Sequence, residues 1–268
     1  MKIKFFIVLL SLVLLASCSK SPINIMLWED ALPQNKIESD AEIFVYLPNS
    51  SKNKKAVVIC PGGSYIGLGI NHEGHDFAKW LCSEGHVGIV LKFRSPKKQK
   101  DIPLEDIQRA MKIIRSKSEE WGIGKIGVAG FSSGGHLAST ASTHFDSSDT
   151  RPDFSILFYP VITMGENTHS DTKANLLGDE PSENDILNYS NEKQVNENTP
   201  PAILLLSDND KAVSPMNSIA YYNALHKNNI PASIHIFSEG GHGWGMKPSF
   251  KYRDEMMSLI KLWLNNLE

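Results

Sequence analysis

The sequence predicts an α/β protein, with a mainly parallel central sheet covered by helices on both faces. Three observations carry this expectation. At 268 residues, 41% of them hydrophobic and 21% charged, the chain is long enough to bury one sizeable core and short for two full domains. Apolar runs of strand length alternate with longer stretches of helical spacing from residue 43 onward. Glycine clusters follow two of the apolar runs directly, at Pro61-Gly62-Gly63 and at Gly130-Phe131-Ser132-Ser133-Gly134, where a buried strand would pass into a loop or a helix.

The elements follow in order. Residues 43–47 and 56–60 read as strands, the second buried and stopped by Pro61. Residues 72–83 show helical spacing in Phe77, Trp80 and Leu81, and Gly85 ends that helix. Strand 87–93 is followed by helix 101–121, whose first turn tolerates Pro103. Strand 126–129 leads into a helix containing Leu137, then come strand 154–159, strand 202–206, helix 215–227, strand 233–237 and a closing helix 250–267. Residues 163–199 break the rhythm: they are polar and Asn-rich, with a weak helix at 185–189, and read as a cap or loop insertion.

Composition narrows the function classes. With 27 basic against 30 acidic residues, a net charge of -3 and no basic block, a nucleic-acid partner is not expected. The 19 glycines, 14 prolines and 9% aromatics exclude a collagenous, coiled-coil or largely disordered chain. At the front, Lys2 and Lys4 precede an apolar run at 5–16, too short to span a bilayer and suited to the hydrophobic region of an export signal. The run ends Leu15-Ala16-Ser17-Cys18, which resembles the bacterial lipoprotein box, whose Cys is acylated and becomes the first residue of the mature chain. Residues 1–17 are therefore expected to be a lipoprotein signal peptide, 18–40 a tether and 41–268 the folded domain. The expected membrane partner is reached through a lipid anchor at Cys18, in the bacterial cell envelope. Cys60 and Cys82 both sit in apolar runs and are expected as two buried thiols rather than a disulfide with each other.

Chemistry concentrates at four places. Gly130-Phe131-Ser132-Ser133-Gly134 has the pattern of a nucleophile elbow, in which small neighbours permit the strained turn that lifts a serine Oγ above the sheet. A serine nucleophile needs a base and an orienting acid, expected here in the chain order acid, then His. Of nine histidines, His242 lies in Gly240-Gly241-His242-Gly243, a loop directly after the last strand, whereas His136, His226 and His235 fall inside regular elements. The acid should end the preceding strand, and Asp208 and Asp210 both do. Asp210 is favoured because Asp210-Lys211-Ala212-Val213 resembles the acid loop of many hydrolases. Oxyanion donors are expected from the backbone N–H of Ser133 and from Gly63 and Ser64. His72-Glu73-Gly74-His75 is not a metal motif of known spacing, and Glu73 at a helix start reads as dipole-matched, so no metal is expected. Neither phosphate-binding glycine motif is present, so no nucleotide cofactor is expected.

Over nearly all of residues 41–268 the chain resembles the α/β-hydrolase-fold esterases of bacterial polysaccharide utilisation, of the acetyl-xylan and feruloyl esterase type. The resemblance is carried by Pro61-Gly62-Gly63-Ser64-Tyr65, His72-Glu73-Gly74, Gln108-Arg109-Ala110, the segment from Gly130 to Ala138, Tyr159-Pro160-Val161, Asn175-Leu176-Leu177-Gly178, Thr199-Pro200-Pro201, Asp210 to Val213 and Gly240 to Gly243. It implies the α/β-hydrolase fold, Ser132 as nucleophile, Asp210 as acid and His242 as base, with no cofactor. Pro61 stands where related lipases carry His, and Ser64 where a third glycine is usual. The implied substrate is an acylated carbohydrate bearing acetyl or feruloyl groups. A small-amide or formamide hydrolase with the same triad, and a catalytically silent glycan-binding lipoprotein, remain open. Tyr65, Tyr159 and Trp244 are expected to frame the site with aromatic faces suited to sugar rings.

Overall fold

The computed structural model describes residues 21–29, 39–49 and 54–267. The expected signal peptide and Cys18 lie outside the described residues. Eight strands form one sheet: β1 (Ile23–Met26), β2 (Glu42–Tyr46), β3 (Lys54–Cys60), β4 (Val87–Lys92), β5 (Ile123–Phe131), β6 (Ser155–Phe158), β7 (Ala202–Ser207) and β8 (Ala232–Phe237). Their spatial order is β1-β2-β4-β3-β5-β6-β7-β8. The first two pairings are antiparallel and the remainder parallel. This is the α/β-hydrolase fold.

The inner parallel strands are apolar on both faces, because helices cover both, whereas the edge strand β8 is only partly buried. Along β3, Ala56, Val58 and Cys60 pack into one core and Val57 and Ile59 into the other. The first core is closed by α2 (Ile102–Ser116), α4 (Ser133–Thr143) and α7 (Met216–Lys227), the second by α1 (Asp76–Ser83) and α8 (Arg253–Asn266). Such two-sided burial explains why these strands read as continuous apolar runs and were legible in the sequence.

Four expectations are corrected. The stretch read as a tether contains β1, which pairs along the edge of β2, followed by the fully buried Leu27. Trp28 donates its indole N–H to Asp106 at 2.8 Å and lies under the guanidinium groups of Arg94 and Arg109, 5.5 and 5.8 Å from the ring centre. β1 has four residues and exposes Ile23 and Met26, so no burial period marks it. The helix expected at 72–83 starts as a wide π-type turn, Ile70–His75, before α1. The helix expected at 101–121 breaks at Lys117 into α2 and the single turn α3 (Ser118–Trp121). Cys60 is a buried free thiol as expected, whereas Cys82, also buried, is not a free thiol.

The polar insertion is more ordered than its composition implies. It holds α5 (Ser170–Leu177), α6 (Glu183–Asn188) and a 3-10 turn at Asn191–Lys193. Leu176 and Tyr189 pack into the core, and polar side chains fix the rest. His169 and Ser182 cap the two helices, Tyr189 O–H donates to Asp101 at 2.7 Å, and the buried Asn191 amide donates to Ser139 Oγ at 2.7 Å.

Candidate active site

The centre is the turn between β5 and α4. Ser132 sits there at φ +52° and ψ -120°, a sparsely populated conformation that costs about 1–3 kcal/mol. Its surroundings hold it: the N–H donates to Phe158 O at 3.0 Å, and the carbonyl accepts from Val161 N–H at 3.0 Å. The glycines two residues either side are required by close approach. A Cβ on Gly134 would lie 2.0 Å from the Cys60 carbonyl oxygen, and one on Gly130 would lie 2.2 Å from that of Gly134.

The structure brings Ser132, His242 and Asp210 together from three separate segments. His242 Nε2 lies 2.8 Å from Ser132 Oγ, and Nδ1 lies 2.7 Å from Asp210 Oδ2. An ionised carboxylate only accepts, which places the ring proton on Nδ1 and leaves Nε2 to accept from the serine hydroxyl. Asp210 is itself fixed, because its Oδ1 accepts from the N–H groups of Ala212 at 2.9 Å and Val213 at 3.0 Å, and Val213 is buried in the core. Asp208, by contrast, is exposed, its own N–H tied to Phe237 O. Of the two carboxylates, the Val213 turn draws only Asp210 inward, toward His242.

The loop after β3 passes over the elbow, and a Cβ on Gly62 would come within 2.9 Å of Ser132 Cβ. Gly63 has φ +142°, and Ser64 and Tyr65 hold left-handed φ values of +54° and +63°. Ile66 and Gly67 both donate their N–H to Gly63 O, closing a tight turn. Of the three expected oxyanion donors, Gly63 already gives its N–H to Ser133 Oγ at 3.1 Å. Among the described residues the N–H groups of Ser64 and Ser133 have no protein acceptor, the latter standing at the start of α4 where a helix leaves donors unpaired. Asn175 from α5 donates to the Ser64 carbonyl at 2.8 Å, so the insertion braces this loop.

The three aromatics expected to face the substrate are buried, Tyr65 at 2%, Tyr159 at 1% and Trp244 at 4% relative exposure. Each spends its polar atom inside the protein. Tyr65 O–H pairs with His136 Nδ1 at 2.9 Å, and His136 Nε2–H reaches the Tyr189 carbonyl at 2.8 Å. Trp244 donates to Ser207 Oγ and stacks on Phe250. Tyr159 packs edge to face on His242, ring centres 4.8 Å apart. All three are largely enclosed, and of them Trp244 borders the groove beside His242. Burial lowers His136 to about 4, so it is a neutral structural histidine, as its place in the helix suggested.

Three features escaped sequence reasoning. Glu73 is buried at 5% exposure rather than sitting at a solvated helix start. The Ser133 hydroxyl bonds the glycine loop. His169, at the start of α5, is half-buried, and its basicity is lowered by burial and then modulated by the charges of Asp171, His242 and Asp210. Only the motif His72-Glu73-Gly74 carried a signal for any of them. Beside His242 the surface opens into a groove of about 420 Å³ lined by Glu239, Trp244, Lys247, Ser249, Phe250 and Lys251.

Fold and site together define the α/β-hydrolase class. The BD-FAE family model matches residues 43–225, and the chain belongs to that family. It is 35% identical over 237 residues to an acetylxylan esterase of Xylanibacter ruminicola, covering 86% of this chain and 49% of that protein. It is 34% identical over 220 residues to endo-1,4-beta-xylanase B of Butyrivibrio fibrisolvens, covering 75% of this chain and 34% of that one. The chain therefore spans about half, or less, of the length of these relatives. Among solved structures, the acetyl ester-xyloside bifunctional hydrolase of Caldicellulosiruptor lactoaceticus superposes with a TM-score of 0.85 at 33% identity, over 91% of this chain and 96% of that one.

Proposed function

We propose that this chain is a serine carboxylic-ester hydrolase that removes short acyl groups, acetyl first and feruloyl second, from plant polysaccharide or oligosaccharide. The observation that carries the reading is the continuous hydrogen-bond relay from Ser132 Oγ through His242 to Asp210, in a family member similar to an acetylxylan esterase.

In this reading Ser132 Oγ attacks the ester carbonyl carbon while His242 Nε2 takes its proton. Asp210 keeps the imidazole in the required tautomer and stabilises the imidazolium. The negative oxygen of the tetrahedral intermediate meets the N–H groups of Ser133 and Ser64, helped by the N-terminal end of α4. His242 then protonates the departing sugar oxygen, the carbon–oxygen bond breaks, and an acyl-Ser132 remains. Water, deprotonated by the same histidine, releases the carboxylic acid and restores the serine. The groove beside His242, lined by Trp244 and Phe250 together with Glu239, Lys247 and Lys251, suits a sugar as the alcohol half.

The test is acetate release from acetylated xylan by the purified chain and by Ser132→Ala. Turnover by the first and a loss of several orders of magnitude in the second is expected. Retained turnover in Ser132→Ala, or an acyl adduct mapping to another residue, overturns the assignment. Faster hydrolysis of formamides than of acetyl esters would favour amide chemistry, and inertness to fluorophosphonate would favour a binding role.

We also propose that Cys18 is lipid-modified and holds the protein to an envelope membrane. Among the described residues no helix is long and apolar enough to cross one. Globomycin treatment or Cys18→Ser is expected to change detergent partitioning and mobility. A soluble product with an unmodified Cys18, or with its sulfur in a disulfide, overturns this.

A further inference from the structure

Among the described residues no lysine or arginine pairs with the buried Glu73 carboxylate; the half-buried His72 ring places its Nε2 3.8 Å from Oε1. Burying such a group is costly unless donors satisfy it. Two do, and they come from different parts of the fold. Gly62 N–H, on the loop crossing the elbow, donates to Oε2 at 2.8 Å. Tyr159 O–H, at the end of β6, donates to Oε1 at 2.8 Å. The Tyr159 oxygen in turn accepts from Gly245 N–H at 2.8 Å, on the loop that carries His242. A second tie to that loop runs from Met246 N–H to the His72 carbonyl at 2.9 Å.

Space around the carboxylate is reserved for it. A Cβ on Gly62 would lie 2.8 Å from Glu73 Oε2, one on Gly69 2.9 Å from the same atom, and one on Gly245 3.0 Å from Glu73 Cγ. Burial, and then the Glu73 charge, push the Tyr159 phenol well above its usual range, so it stays protonated and donates.

Donor and acceptor parity explains why the residue is an acid. Both groups arriving at Glu73 are donors, and the Tyr159 oxygen is already an acceptor for Gly245. An amide in place of the carboxylate would turn its NH₂ toward one of them and leave two donors facing each other.

We propose that Glu73 is a positioning residue for ester hydrolysis: by accepting from Gly62 and Tyr159 at once, it sets the loop carrying the oxyanion donors against the loop carrying His242. The proposal rests on Ser132 being the nucleophile. Its role is geometric, since misplacing oxyanion donors or base by about 1 Å can cost about 100-fold in rate.

The experiment compares Glu73→Gln, Tyr159→Phe, their double variant and Ser132→Ala in the full chain, with active sites counted by fluorophosphonate titration. Per titrated site, Glu73→Gln and Tyr159→Phe are each expected to lower kcat for p-nitrophenyl acetate about 10- to 100-fold with KM changed less than about threefold. The affinity of a boronic acid, whose adduct needs the oxyanion donors, should fall by the same factor. The double variant should be no worse than the poorer single one, because both cut one chain of bonds. A Glu73→Gln kcat within about threefold of the parent, a loss explained by fewer titratable sites, or independent losses in the double variant overturns the proposal while Ser132→Ala stays dead. If Ser132→Ala retains turnover, the nucleophile assignment fails, and the Glu73 proposal fails with it.

Discussion

Asp208 and Asp210 stand two residues apart and have the same chemistry, yet only Asp210 is enclosed, with both oxygens engaged by His242 and the Ala212 and Val213 amides. Asp210→Asn should therefore lower kcat by about 10³- to 10⁴-fold, because an amide permits the wrong imidazole tautomer. Asp208→Asn should change it less than about threefold. A steady-state comparison on one acetyl ester decides this, and a reversed order would move the acid to Asp208. The neighbouring serines divide similarly, but less completely than their positions in the motif suggest. Ser133 contributes its N–H and also accepts from Gly63 through its hydroxyl. Ser133→Ala should lower kcat about three- to tenfold, the worth of one hydrogen bond of about 1 kcal/mol, with little change in KM. A variant indistinguishable from the parent would mean that the turn at Gly63 holds without it. Glu73 shows the limit of reading at this scale: the residue is visible in the sequence, but its partners lie 11 and 86 positions away.

Helix α4 begins at the elbow, and its buried His136 joins Tyr65 of the glycine loop to the Tyr189 carbonyl of the insertion. The sign of its pH effect follows from the depressed value. An unfolded histidine titrates near 6.5, whereas His136 in the fold does so at about 4. Stability from this group is fully present above about 6.5, is lost as pH falls through that window, and the loss levels off below about 4. Melting temperature followed from pH 8 to pH 4 should fall more steeply for the parent than for His136→Gln, which starts less stable but lacks the titration. Parallel curves would mean that His136 does not control the acid limb. At this scale the strands and the longer helices were legible, since Val-, Ile- and Leu-rich runs and helical spacing report burial directly. Helices α5 and α6 were not, because caps and side-chain bonds such as Tyr189 to Asp101 hold them, and no apolar period records those.

At the scale of the molecule, residues 21–29 are part of the domain. β1 covers the β2 edge, and Trp28 sits between Arg94 and Arg109 while bonding Asp106. Truncation to residue 40 should expose an edge strand and lower the melting temperature by several degrees, with a rise in aggregation. Trp28→Ala alone should cost about 1–3 kcal/mol in chemical denaturation. An unaffected truncation would return the segment to a tether. The groove beside His242, with charged Glu239, Lys247 and Lys251 on its lining, bears on substrate size. The ratio kcat/KM should fall steeply from acetyl to octanoyl p-nitrophenyl esters, and a preference for octanoate would indicate a lipase-like acyl site.

By itself the sequence determined the α/β layering, the elbow at Ser132 and the roles expected of Asp210 and His242, because local rules govern each. Burial writes strand and helix periods, and a tight turn demands Gly130 and Gly134. Only the tertiary structure decided which faces the aromatic side chains present, that Gly63 already has an acceptor, that β1 belongs to the sheet, and that Glu73 links two loops. Those outcomes depend on which donors and acceptors meet across long stretches of chain, and the pairing of polar groups, unlike the burial of apolar ones, leaves no period in the sequence to read.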